Sequence, residues 1–262
     1  MILRLPSDTR RVEYVTVTDL DKFGIPEGVE RVLVVTAHPD DVDFGAGGTI
    51  ATFTSLGIQV TYCVCTDGDV GGYDDSTDRS EIPNIRRGEQ IAAGKVLGVT
   101  DIHFLGYKDG YLQPTHDVQR DIVRVMRKVK PQLVITQTPE RNWERLPATH
   151  PDHMAAGEAT TQAIYPAVRN PFAYPELRKV EGLEAWTVNW LWLQGDTNPN
   201  HWLDVTEKFD QKIEAISAHA SQLSQPEKLA EMVREWQKLA AEKAGLPDGR
   251  LAEGFKQIKL PD

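Results

Sequence analysis

Hydrophobic positions along this chain fall into short apolar runs separated by stretches of helical period. The first run, Val32 to Val35, reads as a buried strand over 31–37. It stops at Ala37 and gives way to His38-Pro39-Asp40-Asp41, then to Gly45-Ala-Gly47-Gly48 and a helix from roughly Thr49 to Ser55 that closes at Gly57. Gln59 to Thr66 is a second strand, and residues 73–83 read as a charged, mobile loop. Asn84 can cap a helix that runs to Leu97 and stops at Gly98. Ile102 to Leu105 is strand three. From Asp117 to Val129 a helix carries Ile122, Val125, Met126 and Val129 on one face, and Gln132 to Thr136 is strand four.

Beyond a long loop, 137–149, His150-Pro151-Asp152-His153 opens a helix to about Tyr165, and 166–184 is irregular. Trp186, Val188, Trp190 and Trp192 alternate as a strand with one aromatic face. A turn at Asn198-Pro199-Asn200 leads to a strand from Trp202 to Val205, so these two can pair antiparallel. Helices over 207–222 and 226–243 follow, split at Pro226, and a short extra strand is expected near 12–17. Strands alternating with helices predict right-handed βαβ units. The expected fold is therefore α/β: a single Rossmann-like domain over 1–262, with a mostly parallel sheet flanked by helices and a C-terminal antiparallel strand pair.

Composition narrows the partners. The 262 residues are 40% hydrophobic and 26% charged, as in ordinary globular proteins. Net charge is −10, from 39 acidic and 29 basic residues, with no basic cluster to neutralise a phosphate backbone. Nucleic acid is thus excluded as a partner, and a small neutral or sugar-like substrate suits the charge better. Cys63 and Cys65 share one face of a strand, too close in sequence for a useful disulfide, which favours a reducing, cytoplasmic setting. The first eleven residues lack the apolar core of a signal peptide, and no run approaches the roughly 20 residues of a membrane span. Nothing here opposes assembly as a homo-oligomer.

The chemistry gathers at the two His-Pro-Asp turns. Ligands of open α/β sheets sit beyond the carboxyl ends of the strands, where both turns are expected. His38 and Asp41, three residues apart on a tight turn, can face one centre. Zinc accepts imidazole nitrogen and carboxylate oxygen, and catalytic sites use three protein ligands plus water. Asp40, if it faces elsewhere, is free to act as a base. Alone, the first turn could equally be a structural turn with a capping Asp. The second turn, at another strand end, can supply a third ligand and weakens that reading. Gly45-Ala-Gly47-Gly48 is no dinucleotide loop, because the final glycine position is Ile50. A metal phosphoesterase would need ligands for a second ion, and a sugar-binding module would not need Asp40 beside Asp41.

Ala37-His38-Pro39-Asp40-Asp41-x-Asp43-x-Gly45-x-Gly47-Gly48, joined to His150-Pro-Asp152-His153, resembles the LmbE-like, or PIG-L, zinc-dependent de-N-acetylases. Weaker landmarks extend the likeness over about 31–258: Thr66-Asp67-Gly68, Arg86-Arg87-Gly88-Glu89, Leu105 to Gly110, Ala218 to Gln222 and Ala252 to Phe255. The resemblance implies hydrolysis of an acetamido group on an N-acetylglucosamine-like substrate, releasing acetate and free amine. An amidase acting on a larger thiol-glycoside conjugate is the nearest alternative. It also implies that His38, Asp41 and His153 hold Zn2+, that Asp40 is the general base, and that a protonated His150, oriented by Asp152, supports the oxyanion. Arg86 and Asp109 match sugar-holding positions. The family's usual glutamate after the first motif is Asp43 here. For His219 a structural role and a site role are equally open, and Glu89 one turn from Arg86 suggests a salt bridge.

Overall fold

The computed structural model describes residues 23–74 and 76–261. Its centre is a seven-stranded sheet of order β3-β2-β1-β4-β5-β7-β6. β1 (Arg31–Thr36), β2 (Gln59–Thr66), β3 (Asp101–Tyr107), β4 (Leu133–Gln137) and β5 (Trp190–Gln194) are parallel neighbours. β7 (Ala252–Lys259) pairs antiparallel with both β5 and β6 (His201–Asp204). The expected mostly parallel α/β fold with an antiparallel C-terminal pair is present. The two strands expected to pair, β5 and β6, are not neighbours, however: β7 lies between them, antiparallel to each. The strand expected near 12–17 falls outside the described residues.

Alternate side chains of each strand enter opposite cores, as the pleat requires. Leu33, Val35, Cys63, Cys65 and Val134 pack with Ile122 and Met126 of α3 (His116–Val129) and Ala156 of α4 (Pro151–Gln162). Val32, Val34, Tyr62, Leu133 and Ile135 pack on the other side with Ile50 and Phe53 of α1 (Asp41–Ser55) and Ala93 of α2 (Ile82–Val96). Trp192 lies fully buried in this second core, with Trp190 beside it. Trp186 precedes the strand and joins the first core, donating from Nε1 to Pro131 O at 2.8 Å, so the aromatic face is shorter than expected. α5 (Pro175–Lys179) is a short helix in the stretch read as irregular. α6 (Phe209–Ser217) and α7 (Leu229–Lys243) enclose a third small core around Phe209, Ile216 and Val233.

α1 begins at Asp41, well before the expected Thr49, so the glycines lie inside the helix and not in a loop. They permit close approach. A Cβ on Gly48 would stand 2.7 Å from Val205 Cβ, and one on Gly45 2.5 Å from Gln194 Oε1. α2 likewise starts at Ile82, ahead of Asn84. The chain order reverses between β1 and β4, whose Val35 and Thr136 are paired in register. The carboxyl ends of these two strands frame the crevice where ligands of such sheets bind.

Candidate metal centre

The first turn leaves β1 under tight control. Ala37 N donates to Gln137 Oε1 of β4 at 3.0 Å, and Ala37 O accepts from Thr66 N of β2 at 2.8 Å. Asp40 then adopts φ 96°, a conformation that costs a non-glycine residue about 1–3 kcal/mol. Its amide donates to Gln90 Oε1 at 2.8 Å, and its carbonyl accepts from Asp43 N and Phe44 N as α1 begins. Asp41 folds back so that Oδ2 accepts from His38 N at 2.6 Å.

The second turn opens α4, which presses on β4: a Cβ on Gly157 would stand 2.2 Å from Gln137 O. His150 is the N-cap, its Nδ1 accepting from Asp152 N at 3.2 Å. The buried Asp152 carboxylate accepts from Gly110 N at 2.7 Å and Leu112 N at 3.3 Å, which pins the loop after β3. That loop meets the one after β2, where Asp109 N donates to Asp69 Oδ1 at 2.9 Å.

All eight expected site residues converge here. His38 Nδ1 lies 3.4 Å from Asp41 Oδ2, and Asp41 Oδ1 lies 2.9 Å from His153 Nε2. His38 Nε2 is 2.9 Å from Asp109 Oδ1 and 3.4 Å from Asp152 Oδ2, yet makes no aligned hydrogen bond although buried. Nitrogens of His38, His150 and His153 lie within 4.8 Å of one another, and so do donor atoms of His38, Asp109 and Asp152. A cavity of about 430 Å³ opens over His38, Asp40, Asp41, Asp109 and His153.

These donors fit a divalent cation. Asp41 bridges His38 Nδ1 and His153 Nε2 through its two carboxylate oxygens, a histidine–carboxylate–histidine set a divalent ion accepts, and the orphaned His38 Nε2 between Asp109 and Asp152 forms an adjacent donor grouping. The electrostatics agree. Burial alone would lower the His38 imidazole, but the carboxylates of Asp41, Asp109 and Asp152 push it up to about 12. Burial opposes ionisation of Asp41 too, and His153 and His38 overcome it, holding Asp41 well below the usual carboxylate range. Asp40 differs: burial and the adjacent Asp41 charge raise it to about 6, against the pull of Arg86, His219 and His38.

Some contacts depart from expectation. Asp152 orients His150 through its backbone amide and not its carboxylate. An acceptor role at Nδ1 disfavours the expected imidazolium, and burial with the positive charges of His38 and His153 lowers His150 further. Arg86 is buried and donates to Pro39 O, to Gly68 O at 3.0 Å and to Asp40 Oδ2 at 3.0 Å. Glu89 does not pair with Arg86 but accepts from Ser221 N and Oγ, each at 2.7 Å. His219 is fully buried, its Nε2 2.8 Å from Asp43 Oδ2. The same oxygen accepts from Gln90 Nε2 at 2.8 Å. A relay therefore runs from His219 through Asp43 and Gln90 to the Asp40 amide. Sequence reasoning missed Gln90 and Gln137, since glutamine carries no ligand or acid–base signature; only the helical spacing of Gln90 from Arg86 hinted that both face the turn.

The fold and donor set define a metal-dependent enzyme with its centre at the carboxyl edge of an open α/β sheet. The chain belongs to the PIG-L family: the family described as GlcNAc-PI de-N-acetylase matches residues 33–164. It is 32% identical to the diacetylchitobiose deacetylase of Thermococcus kodakarensis over 88% of this chain and 84% of that protein. It is 36% identical to a probable N-acetyl-alpha-D-glucosaminyl L-malate deacetylase 2 of Bacillus cereus, over 73% of this chain and 83% of the relative. Among solved structures, the N,N'-diacetylchitobiose deacetylase of Pyrococcus horikoshii superposes with a TM-score of 0.81 at 30% identity, covering 88% of this chain and 85% of that one.

Proposed function

We propose that the chain is a zinc-dependent de-N-acetylase that hydrolyses the acetamido group of a small N-acetylglucosamine-containing substrate, releasing acetate and the free amine. The observation that carries this reading is the meeting of the two His-Pro-Asp turns, with Asp40 beside the donors and raised to about 6. His38, Asp41 and His153 would hold the ion, which supplies Lewis acidity toward the amide carbonyl and makes water a better nucleophile. Asp40 accepts the proton of the attacking water and returns it to the departing amine. Arg86 donates to Asp40 and to the turn that carries it, holding the base over the cavity.

His150 acts as a neutral donor. With Nδ1 accepting from Asp152 N, its remaining proton sits on Nε2, available to the oxygen on which negative charge develops. Arg86 and Asp109 line the same cavity and serve as the sugar contacts, with Arg86 restrained by its three acceptors. A phosphoesterase of the two-metal kind would need a second ion's own ligands, and the two donor groupings among the described residues share His38. Among the described residues no helix is long and apolar enough to cross a membrane. The free, buried Cys63 and Cys65 suit a reducing, cytoplasmic compartment. The test is incubation with N-acetylglucosamine conjugates followed by quantification of acetate and free amine. Equal amounts of both are expected. Release of phosphate from a phosphoester panel, with no acetate, would overturn the assignment.

A further inference from the structure

A second cavity, of about 420 Å³, is also lined by Asp41 and His153, and shares no other residue with the first. Phe44, Ala148, Met154 and Trp236 give it an apolar wall, in contrast to the cavity lined by Asp40, Arg86 and Asp109. Of its two glutamines, Gln137 spends Oε1 on Ala37 N, while Gln194 lies close along Gly45 with its buried Oε1 unpartnered, one polar atom on an otherwise apolar lining. We propose that this cavity is an acyl pocket, and that the chain hydrolyses N-acyl groups longer than acetyl more efficiently than acetyl itself. The inference rests on the de-N-acylation reading above and names its substrate class more closely.

Asp41 and His153 line both cavities, so an amide held at the donors has one substituent in each. The polar cavity matches sugar hydroxyls and takes the substituent on nitrogen. The acyl carbon chain is then directed into the apolar one. A water's share of liquid volume is about 30 Å³, so the second cavity exceeds the needs of one methyl group roughly tenfold. Trp236, from α7, stands along it with 41% exposure and offers apolar surface to the end of a longer chain.

The experiment uses the zinc-loaded full chain and glucosamine conjugates that differ only in N-acetyl, N-butyryl or N-hexanoyl. kcat/KM is expected to rise about fourfold for each methylene buried. Hexanoate should also inhibit acetyl cleavage at lower concentration than acetate, which reads binding without turnover of the longer chain. Ala148→Phe, at an exposed position, fills the cavity and should cut the hexanoyl-to-acetyl ratio at least tenfold. Trp236→Ala should lower the same ratio and guards against a misfolded first variant. Hexanoyl cleaved less well than acetyl, or a ratio that neither variant moves, would overturn the pocket while leaving deacetylation intact. A gain that follows an apolar aglycone and disappears in Ala148→Phe would assign the cavity to the aglycone instead. Absence of cleavage for every acyl group would remove the underlying reading and the pocket with it.

Discussion

Replacing Gln90 with Leu separates holding the proposed base from holding the ion. Gln90 is fully buried and of similar size to Leu. It accepts from the Asp40 amide at 2.8 Å and donates to the Asp43 carboxylate at 2.8 Å. A neutral hydrogen bond contributes about 1 kcal/mol and one to a charged group about 1.5–3, so the loss in stability should be about 3 kcal/mol. The kinetic effect follows from Asp40 φ 96°, a conformation that persists only while its surroundings enforce it. Once released, Asp40 relaxes, and a misplacement of about 1 Å can cost roughly 10²-fold in rate. His38, Asp41 and His153 do not touch Gln90, so zinc content should stay at the wild-type level. The assays are acetate release, urea denaturation and metal analysis on one preparation. A kcat within twofold of wild type despite the stability loss would refute the positioning argument. So would a rate that falls only in step with lost zinc.

Three further outcomes follow from other parts of the fold. Lys212 Nζ lies 2.6 Å from Glu253 Oε1, and both are buried. Lys212→Met should cost about 3–5 kcal/mol by leaving the buried carboxylate without its counter-charge, held only by Gly48 N, Thr49 N and Gln237 Nε2. In urea melts, Lys212→Met with Glu253→Gln should recover part of that, and no recovery would contradict the electrostatic cause. Gly157→Ala forces a methyl against Gln137 O and should push α4 off β4, lowering both melting temperature and zinc affinity; an unchanged protein would refute the close-packing account. His201 packs against Trp192 with ring centroids 4.5 Å apart and planes tilted by 50°, and burial lowers its pKa from 6.5 to about 4. The folded protein therefore keeps it neutral where the unfolded chain binds a proton. The stability tied to its neutral form is complete above about pH 6.5 and is lost as pH falls toward 4. His201→Phe should weaken that decline, and an NMR titration midpoint near 6.5 for His201 would contradict the cause.

The strand pattern and both His-Pro-Asp turns were legible because each rests on local chemistry. Val32 to Val35 is an apolar run cut by Pro39, and α3 shows a clean face of Ile122, Val125 and Met126. Where tertiary contact overrides local preference, the reading failed. Gly45, Gly47 and Gly48 were placed ahead of the helix, but they lie within it, where they let it approach Gln194, Lys212 and Val205. β7 was not seen as a strand, since its place between β5 and β6 is set by partners about 50 to 70 residues earlier in the chain. The relay from His219 to Asp40 joins three elements and has no local signature. His150 looked like a cation stabilised by Asp152, and only its capping geometry exposes Nδ1 as an acceptor.

Zinc bound per chain, measured after metal loading and dialysis in the wild type and in His38→Ala, Asp41→Ala and His153→Ala, addresses the centre most directly. One tightly held ion per wild-type chain is expected, together with loss of tight binding in each variant, His153→Ala included although it lies on the distant turn. Undiminished zinc in His153→Ala, with full acetate release, would mean that the two turns do not share an ion.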